Sequence, residues 1–433
     1  MAEEKEAPKK VSRRQFVKGA AVGGAGVAAA GVLASCAPAA TPAPAPTCPP
    51  APTCPPAEEC APCATPWIPE EWDEEADVVV CGYGAGGMPA AIEAADAGAE
   101  VLIIEKTDWV GGCAKRSGGV VVGANTLVQR ALGIEDSADD LYDYVMACGE
   151  GFVDPALVRV YADNSGPNID WLIEDLGGEV PAKQQEDFGI VEPGLNYDSG
   201  DKSKEDPPYS WEMYGLPRIP RLHWFTPDPE FQGHGNEWGF GYKEGLPGGS
   251  GFFRPLDEGI TARQIRTMLE TKLVELVATP EREVLGIKVE SGGKTLYIKA
   301  KKGVVIGTGG FQQNKKLTRD FWGSASPDSG GLDVSIALPE NCEGEGLVAG
   351  MAIGADLSNM VMPFLFPGGG LRINPKAQVI DVFGEVIPRL YAAGDVSAGV
   401  FAYKYPTSGT CLSQGVCFGR IGGKNAAAET SWE

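Results

Sequence analysis

Residues 76–106, ADVVVCGYGAGGMPAAIEAADAGAEVLIIEK, constrain the fold more than any other stretch. Residues 77–81 are a short, mostly β-branched apolar run, the pattern of a strand buried on both faces of a parallel sheet. Gly82-Tyr83-Gly84-Ala85-Gly86-Gly87 then gives G-x-G-x-x-G. Residues 89–97 are Ala-rich and helical, with Pro89 where a first turn tolerates it, and Gly98 stops the helix. Residues 101–104 read as a second buried strand with Glu105 at its end.

This unit has a specific physical use. Gly82 permits the tight turn, Gly84 lets the backbone approach a pyrophosphate, and Gly87 lets helix and strand pack closely. The phosphates meet the unpaired N–H groups and the positive end of the helix dipole. Glu105 stands where an acid takes ribose hydroxyls. A lone Gly-rich turn is weak evidence, but here the strand, the helix and the acid are all in place. The expectation is a dinucleotide site.

At 433 residues the chain suits two or three domains, with ample apolar content for a core. A net charge of −23 argues against nucleic acid as a partner. Ser12-Arg13-Arg14-Gln15-Phe16-Val17-Lys18 matches a twin-arginine export signal, and a mild apolar region, 20–32, follows. Leu33-Ala34-Ser35-Cys36 looks like a lipobox, so the expectation is an extracytoplasmic protein tethered to the membrane through a lipid on Cys36. Ordinary cleavage nearby, without lipid, is the alternative. The eleven cysteines divide by region. Cys48, Cys54, Cys60 and Cys63 lie in a Pro/Ala tract, where Cys60 and Cys63 either pair, stay free or bridge to another chain. Metal is not expected, and no C-x-x-C-H occurs, so the chain carries no c-type haem of its own. Cys81, Cys113, Cys148, Cys342, Cys411 and Cys417 read as small core residues.

The chain divides into a signal (1–35), a semi-rigid Pro/Cys-rich linker (36–75), a first part of the nucleotide-binding domain (76–182), an insertion (183–258) and a second part (259–433). A second Gly-rich turn spans 111–119, and 137–148 and 154–176 read as helices, the latter with Asp154 as N-cap before Pro155. The insertion is irregular and aromatic-rich, with Tyr209, Trp211, Tyr214, Trp224, Trp238, Tyr242 and both histidines, His223 and His234. It reads as a lid or partner contact. Residues 261–269 read as a helix, and 270–277, 283–290 and 294–300 as a small meander. Residues 303–307 read as a separate buried strand, 346–354 as a short helix, and 378–382 and 386–390 as strands flanking Phe383-Gly384. Residues 390–393 read as the final core strand, closed by Gly394-Asp395, and a helix runs from near Thr410 to Glu429. The fold class is therefore α/β: a Rossmann-like domain with a parallel sheet, helices and a small meander.

With these pieces in place, the chain resembles the flavoprotein family of soluble fumarate reductases and 3-ketosteroid Δ1-dehydrogenases. The resemblance rests on the unit above and on GGCAKRSGG, TKLVELV, VVIGTGGF, LRINPKAQVIDVFGEVIPRLYAAGD and SGTCLSQGVCFGRIGGKNAA. It implies non-covalently bound FAD. By position, Gly82, Gly84, Ala85, Gly86 and Gly87 would hold the pyrophosphate, with Glu105 on the adenosine ribose and Lys106 beside it. Gly112, Ser117, Gly118 and Gly119 would line the pyrophosphate and flavin, and Val274 would meet the adenine through its backbone. Thr308 and Gly309 would pass beside the cofactor, and Gly394 and Asp395 would meet the ribityl chain. Gly409, Thr410, Leu412 and Ser413 would present helix N-terminal N–H groups to the flavin pyrimidine edge, where a helix dipole stabilises reduced flavin.

The departures from the family also carry information. Phe401 stands where a fumarate reductase has a substrate-binding histidine, and Tyr405-Pro406 where it has an arginine. Residues 359–370 join two motifs that the family separates by a capping domain, so the insertion stands in place of that domain. Tyr405-Pro406-Thr407-Ser408-Gly409 is closer to the Tyr-Pro-Gly segment of the ketosteroid dehydrogenases, in which the tyrosine hydroxyl, helped by a backbone N–H, polarises a carbonyl. Tyr405 is thus the candidate catalytic residue, with packing on the flavin edge as the competing role. Tyr403, Lys404 and the two histidines are weaker candidates. The expected activity is hydride transfer between flavin and a C–C bond conjugated to a carbonyl. The substrate would be an unsaturated carbonyl compound, and a separate cytochrome or membrane quinol module would supply electrons. The alternatives are a partner-dependent electron-transfer subunit without turnover of its own, and a degenerate binding module.

Overall fold

The computed structural model describes residues 68–180, 190–192, 195–196, 216, 219–226, 248–323, 342–360, 369–401 and 405–433. The export motif, Cys36, the linker cysteines, most of the 183–258 insertion with His234, and Tyr403 and Lys404 lie outside them. In chain order the first elements are β1 (Glu74–Cys81), α1 (Gly87–Asp96), β2 (Val101–Ile104), α2 (Gly112–Arg116), β3 (Val121–Val122), α3 (Leu127–Ala131), α4 (Ala138–Gly149) and α5 (Pro155–Glu174). There follow β4 (Ile190–Glu192), β5 (Leu195–Asn196), β6 (Leu222–His223), α6 (Gly249–Ala262), β7 (Arg266–Met268), β8 (Thr271–Ala278), β9 (Val284–Ser291) and β10 (Lys294–Ile306). The remainder are α7 (Lys315–Trp322), α8 (Glu345–Ala352), β11 (Leu357–Ser358), β12 (Gly370–Arg372), β13 (Gln378–Ile380), β14 (Val386–Ala392), β15 (Ser397–Ala398) and α9 (Thr410–Ala428).

The main sheet is mixed and mostly parallel, in the order β13-β14-β10-β1-β2-β7, and the fold is α/β. β1 pairs in parallel with β2 and β10, β10 with β14, and β2 with β7. Strand alternation sends Val79 and Cys81 into one fully buried apolar cluster and Val78 and Val80 into another, so each face of the sheet has its own core. Burial on both faces explains why this strand reads as an unbroken apolar run.

β10 is one strand, where the sequence suggests two. Its first half pairs antiparallel with β9, forming the meander with β8, and its second half pairs in parallel with β1 and β14. Lys301 and Lys302 look like a break in the sequence, but they pair with Glu75 at 3.3 Å and Asp77 at 3.8 Å on the neighbouring strand.

Two further expectations are corrected. The helix expected over 261–269 starts twelve residues earlier, as α6, and 266–268 is the edge strand β7. The Gly/Pro-rich 248–255 segment hides that helix because its glycines serve close packing: a Cβ on Gly249 would lie 2.2 Å from Ala114 O and one on Gly251 2.6 Å from Phe225 O. The insertion, expected to be irregular, contributes β4, β5 and β6 to a small sheet in the order β3-β6-β5-β4.

α9 packs across the first Gly-rich turn because Gly415, Gly419 and Gly423 recur every four residues on one face. A Cβ at these positions would lie 3.1 Å from Ala85, 2.4 Å from Gly86 O and 2.0 Å from Ala90 O. Only hydrogen fits there, so α9 lies directly against α1 and its N-terminus reaches the carboxyl ends of the parallel strands.

Candidate functional site

The site is built where β1, β10 and β14 end. Gly82, at φ +105°, turns the chain out of β1, and a Cβ there would lie 2.5 Å from Gly307 O at the end of β10. Gly87 N–Cα lies so close to the same turn that its Cβ would stand 1.9 Å from Gly82 O. Gly86 faces the end of β14, with a would-be Cβ 2.5 Å from Ala393 O. These three glycines are required by backbone packing.

Gly84 differs from them: a Cβ on it would meet nothing within 4 Å, and one on Gly112 would meet only Gly84 Cα, at 4.0 Å. The start of α2 thus lies close beside the turn after β1, and the open space is on the side to which a Gly84 Cβ would point. Gly111, at φ +106°, caps α2, and Ser117 ends it, with its Oγ donating to Ala114 O at 2.7 Å and accepting from Gly119 N at 3.1 Å. Gly118 is half-buried, with a would-be Cβ 3.9 Å from Trp224, and Gly119 packs on Gly248. Ala85 is half-buried against Gly415.

Glu105 is buried at the end of β2. Its carboxylate accepts from Tyr83 N, Thr107 N and Thr107 Oγ1, each at 3.0 Å. A carboxylate offers about four acceptor positions, so roughly one stays open for a ribose hydroxyl. Lys106 Nζ turns away to Glu345 at 2.7 Å and Glu343 at 3.3 Å, and these partners hold its pKa above the ordinary lysine value against the cost of burial. Val274 sits at a bulge in β8, where the register shifts between Leu273 and Glu275. A bulged residue stands outside the ladder, so its backbone is available to a ligand edge.

Three groups close the far side. Thr308 Oγ1 is buried with no hydrogen-bond partner among the described residues. Gly309 adopts φ +75° and Gly394 φ +78°, each allowing the chain to leave its strand sharply. Asp395 follows, half-buried, with its pKa pushed up to about 6, chiefly by desolvation and against a hydrogen bond from the Cys411 thiol. The N-terminus of α9 completes the wall. Gly409, at φ +88°, is its N-cap and passes close to Val120 O. Thr410 Oγ1 donates to Thr407 O at 2.8 Å, Leu412 is buried, and Ser413 Oγ accepts Val122 N at 2.5 Å while donating to Gly409 O at 2.9 Å.

Not all the N–H groups at this terminus are open to a ligand. Thr410 N donates to Thr407 O at 3.3 Å, and Cys411 N donates to Tyr405 Oη at 3.1 Å. Tyr405 is half-buried, edge-on to Phe401 with ring centroids 5.1 Å apart. Burial, with Cys411 and Asp395 nearby, pushes its phenol well above the usual tyrosine value, so it stays a neutral hydroxyl. Tyr144 Oη donates to Pro406 O at 2.6 Å and holds this segment from α4. Phe401 is a core residue, 1 % exposed.

His223, a weaker candidate for a lid acid and more readily an exposed loop histidine from sequence, is fully buried in β6. Nδ1 lies 2.9 Å from Arg221 O, a carbonyl that only accepts, so Nδ1 carries the proton and Nε2 takes the Thr126 hydroxyl at 2.8 Å. Desolvation pushes its pKa down to about 4, and it is a neutral structural histidine. The pairing of β3 with β6 buries it, a contact across about a hundred residues that local sequence does not signal.

Sequence reasoning also missed that Cys113 and Cys342 meet at the site, with Sγ atoms 3.3 Å apart. The only available signal was that Cys113 adjoins Gly112; nothing in the sequence marks Cys342.

A parallel sheet whose strand ends carry a Gly-rich turn, an acid after the second strand and a helix N-terminus opposite defines a dinucleotide-binding α/β protein. The open space beside Gly84, the Thr308 hydroxyl without a partner among the described residues and the desolvated Asp395 carboxylate fit a pyrophosphate and a polyhydroxyl chain. The FAD binding domain family matches residues 77–369, and the chain belongs to that family.

Among curated proteins the chain is similar to a fumarate reductase (cytochrome) of Shewanella frigidimarina, 28% identical over 63% of this chain and 40% of the relative. It is also similar to a urocanate reductase of Eggerthella lenta, 29% identical over 74% of this chain and 47% of the relative. The chain spans less than half the length of these relatives. In fold it matches a 3-ketosteroid-Δ4-(5α)-dehydrogenase of Rhodococcus jostii, with a TM-score of 0.70 and 23% identity, over 83% of this chain and 98% of that one.

Proposed function

We propose that the chain is an FAD-dependent oxidoreductase acting on a C–C bond conjugated to a carbonyl, with Tyr405 as the group that polarises that carbonyl. The observation that carries this reading is the hydrogen bond from Cys411 N, at the N-terminus of α9, to Tyr405 Oη. A hydroxyl that accepts from a helix-terminal N–H becomes a stronger donor, and burial keeps it protonated at neutral pH. Bound FAD supplies hydride chemistry at carbon. The protein's part is to hold the substrate carbonyl on the Tyr405 hydroxyl and to stabilise the negative charge that develops on its oxygen. Gly84, Gly112, Glu105, Val274, Thr308 and Asp395 hold the cofactor in this reading.

The names of the relatives, fumarate and urocanate reductases, support an unsaturated carbonyl substrate. The twin-arginine motif and Cys36 support export and a lipid tether, and the lack of a C-x-x-C-H motif supports a separate electron carrier. The test is reoxidation of the chemically reduced holoprotein, under anaerobic conditions, by a cyclic enone, a 3-ketosteroid, fumarate and an aryl-acrylate in turn. Rapid reoxidation by one of the ketones, lowered by about 100-fold or more in Tyr405→Phe, is the expected result. Equal rates in the variant would remove Tyr405 from the chemistry.

A second reading has one observation in its favour. Phe401 is apolar and buried where the resembling fumarate reductases carry a histidine, so this position brings no proton donor. The chain would then pass electrons to a partner without turnover of its own, and silence toward all four compounds with flavin bound would support it.

A further inference from the structure

Cys113 lies in the first turn of α2, next to Gly112, and is half-buried. Cys342 lies ahead of α8, buried, and holds a left-handed backbone at φ +59°, a conformation that non-glycine residues seldom adopt. The Cys342 carbonyl accepts Gln313 N at 3.1 Å, which ties this turn to the segment after β10. The two Sγ atoms stand 3.3 Å apart although the residues are 229 apart in sequence. The Cys342 Sγ also lies 3.6 Å from where a Cβ on Gly309 would be. One thiol therefore adjoins the start of α2 beside Gly84 and the other adjoins the turn after β10.

We propose that Cys113 and Cys342 are an oxidisable thiol pair whose disulfide ties the two sides of the cofactor cradle together. The sulfurs need to approach by about 1.3 Å to reach bonding distance, within the range of a side-chain rotation. A small-molecule or protein disulfide is the oxidant. Cys113, the more accessible, attacks it as the thiolate and expels one oxidant thiolate, leaving a mixed disulfide. Cys342 then attacks the Cys113 sulfur and expels the second oxidant thiolate, which takes up the Cys342 proton. Two protein thiols are oxidised, and one external disulfide is reduced to two thiols. The closed bridge joins α2 to the segment before α8, so FAD held between them leaves more slowly. This inference rests on the thiol geometry and is independent of Tyr405 and of the substrate.

The test uses the full-length, FAD-loaded protein, incubated with glutathione disulfide or with dithiothreitol, then alkylated, digested and mapped by mass spectrometry. The expected result is a peptide pair linked through Cys113 and Cys342 after oxidation only. Flavin release on dilution, followed by fluorescence, should slow by tenfold or more on oxidation, and Cys113→Ser and Cys342→Ser should each abolish that change. Should Cys342→Ser not fold, Cys113→Ser at its half-buried position serves alone. Full alkylation of both cysteines after oxidation would overturn the proposal. So would a cross-link that leaves the release rate unaltered.

Discussion

Two polar regions among the described residues are finished to different degrees. Under β6, Asp136 accepts from Arg221 Nε at 2.8 Å, Arg221 Nη2 at 2.6 Å, Gln129 Nε2 at 2.9 Å and Ser137 N at 2.9 Å. All of its roughly four acceptor positions are filled. Gln129 and Thr126 close a capping box on α3, and Thr126 goes on to His223. At the ends of β1, β10 and β14 the same kinds of groups are incomplete: Glu105 has a position to spare, Thr308 Oγ1 has no partner among the described residues, and Asp395 is desolvated with only a thiol donor. A buried polar cluster that satisfies itself holds structure together, whereas one that does not is waiting for a ligand. Chemical composition alone would not separate the two regions.

The comparison can be broken most directly at Arg221. Arg221→Ala strands the buried Asp136 carboxylate and should cost about 3–5 kcal/mol of stability, read from urea denaturation. FAD content per folded molecule should stay unchanged. Loss of flavin at full stability would show that the β6 cluster belongs to the cofactor site.

Titration should separate the regions by sign. His223 has a folded pKa of about 4, below its unfolded value, so its contribution is complete above about pH 6.5 and is lost as pH falls through 4. The loss is about 3 kcal/mol, and His223→Gln should flatten it. Asp395 runs the other way. Its folded value of about 6 lies above the unfolded one, so its contribution in apoprotein is complete below about pH 4 and is lost as pH rises through 6. Partial exposure limits this to about 1–2 kcal/mol. Asp395→Asn should remove it, as followed by apoprotein melting from pH 4 to 8.

The smallest effect on stability is the most diagnostic for the site. Gly84→Ala adds a methyl group to open space and should move stability by less than about 1 kcal/mol, yet weaken FAD binding by at least tenfold. Unaltered FAD affinity would mean that the open space beside Gly84 does not take the pyrophosphate.

The parts of the fold that could be read from sequence are those encoded within about thirty residues. The strand, turn, helix and strand from 74 to 104 are local, and so are the Asp154–Pro155 helix start and the helix after Gly409. Their signals are apolar runs, caps and glycines whose backbones need positive φ. What escaped is set by distant partners. Lys301 and Lys302 resemble a turn until Glu75 and Asp77 are placed beside them. The Gly/Pro-rich start of α6 resembles a loop until Ala114 and Phe225 crowd it. The Cys113–Cys342 approach and the burial of His223 follow from the same long-range pairing.

The single long strand β10 sets a schedule for the newborn chain. Its parallel neighbours are β1, more than two hundred residues upstream, and β14, some eighty residues downstream. While the ribosome is still short of residue 386, β10 presents an unpaired edge in the middle of what will become the sheet, exposed to association with other chains. The wall that α9 contributes arrives later still, after residue 410. The nucleotide cleft therefore cannot assemble in step with synthesis, and cofactor capture belongs to the closing stage of folding, after the strand that divides the sheet has found both of its neighbours.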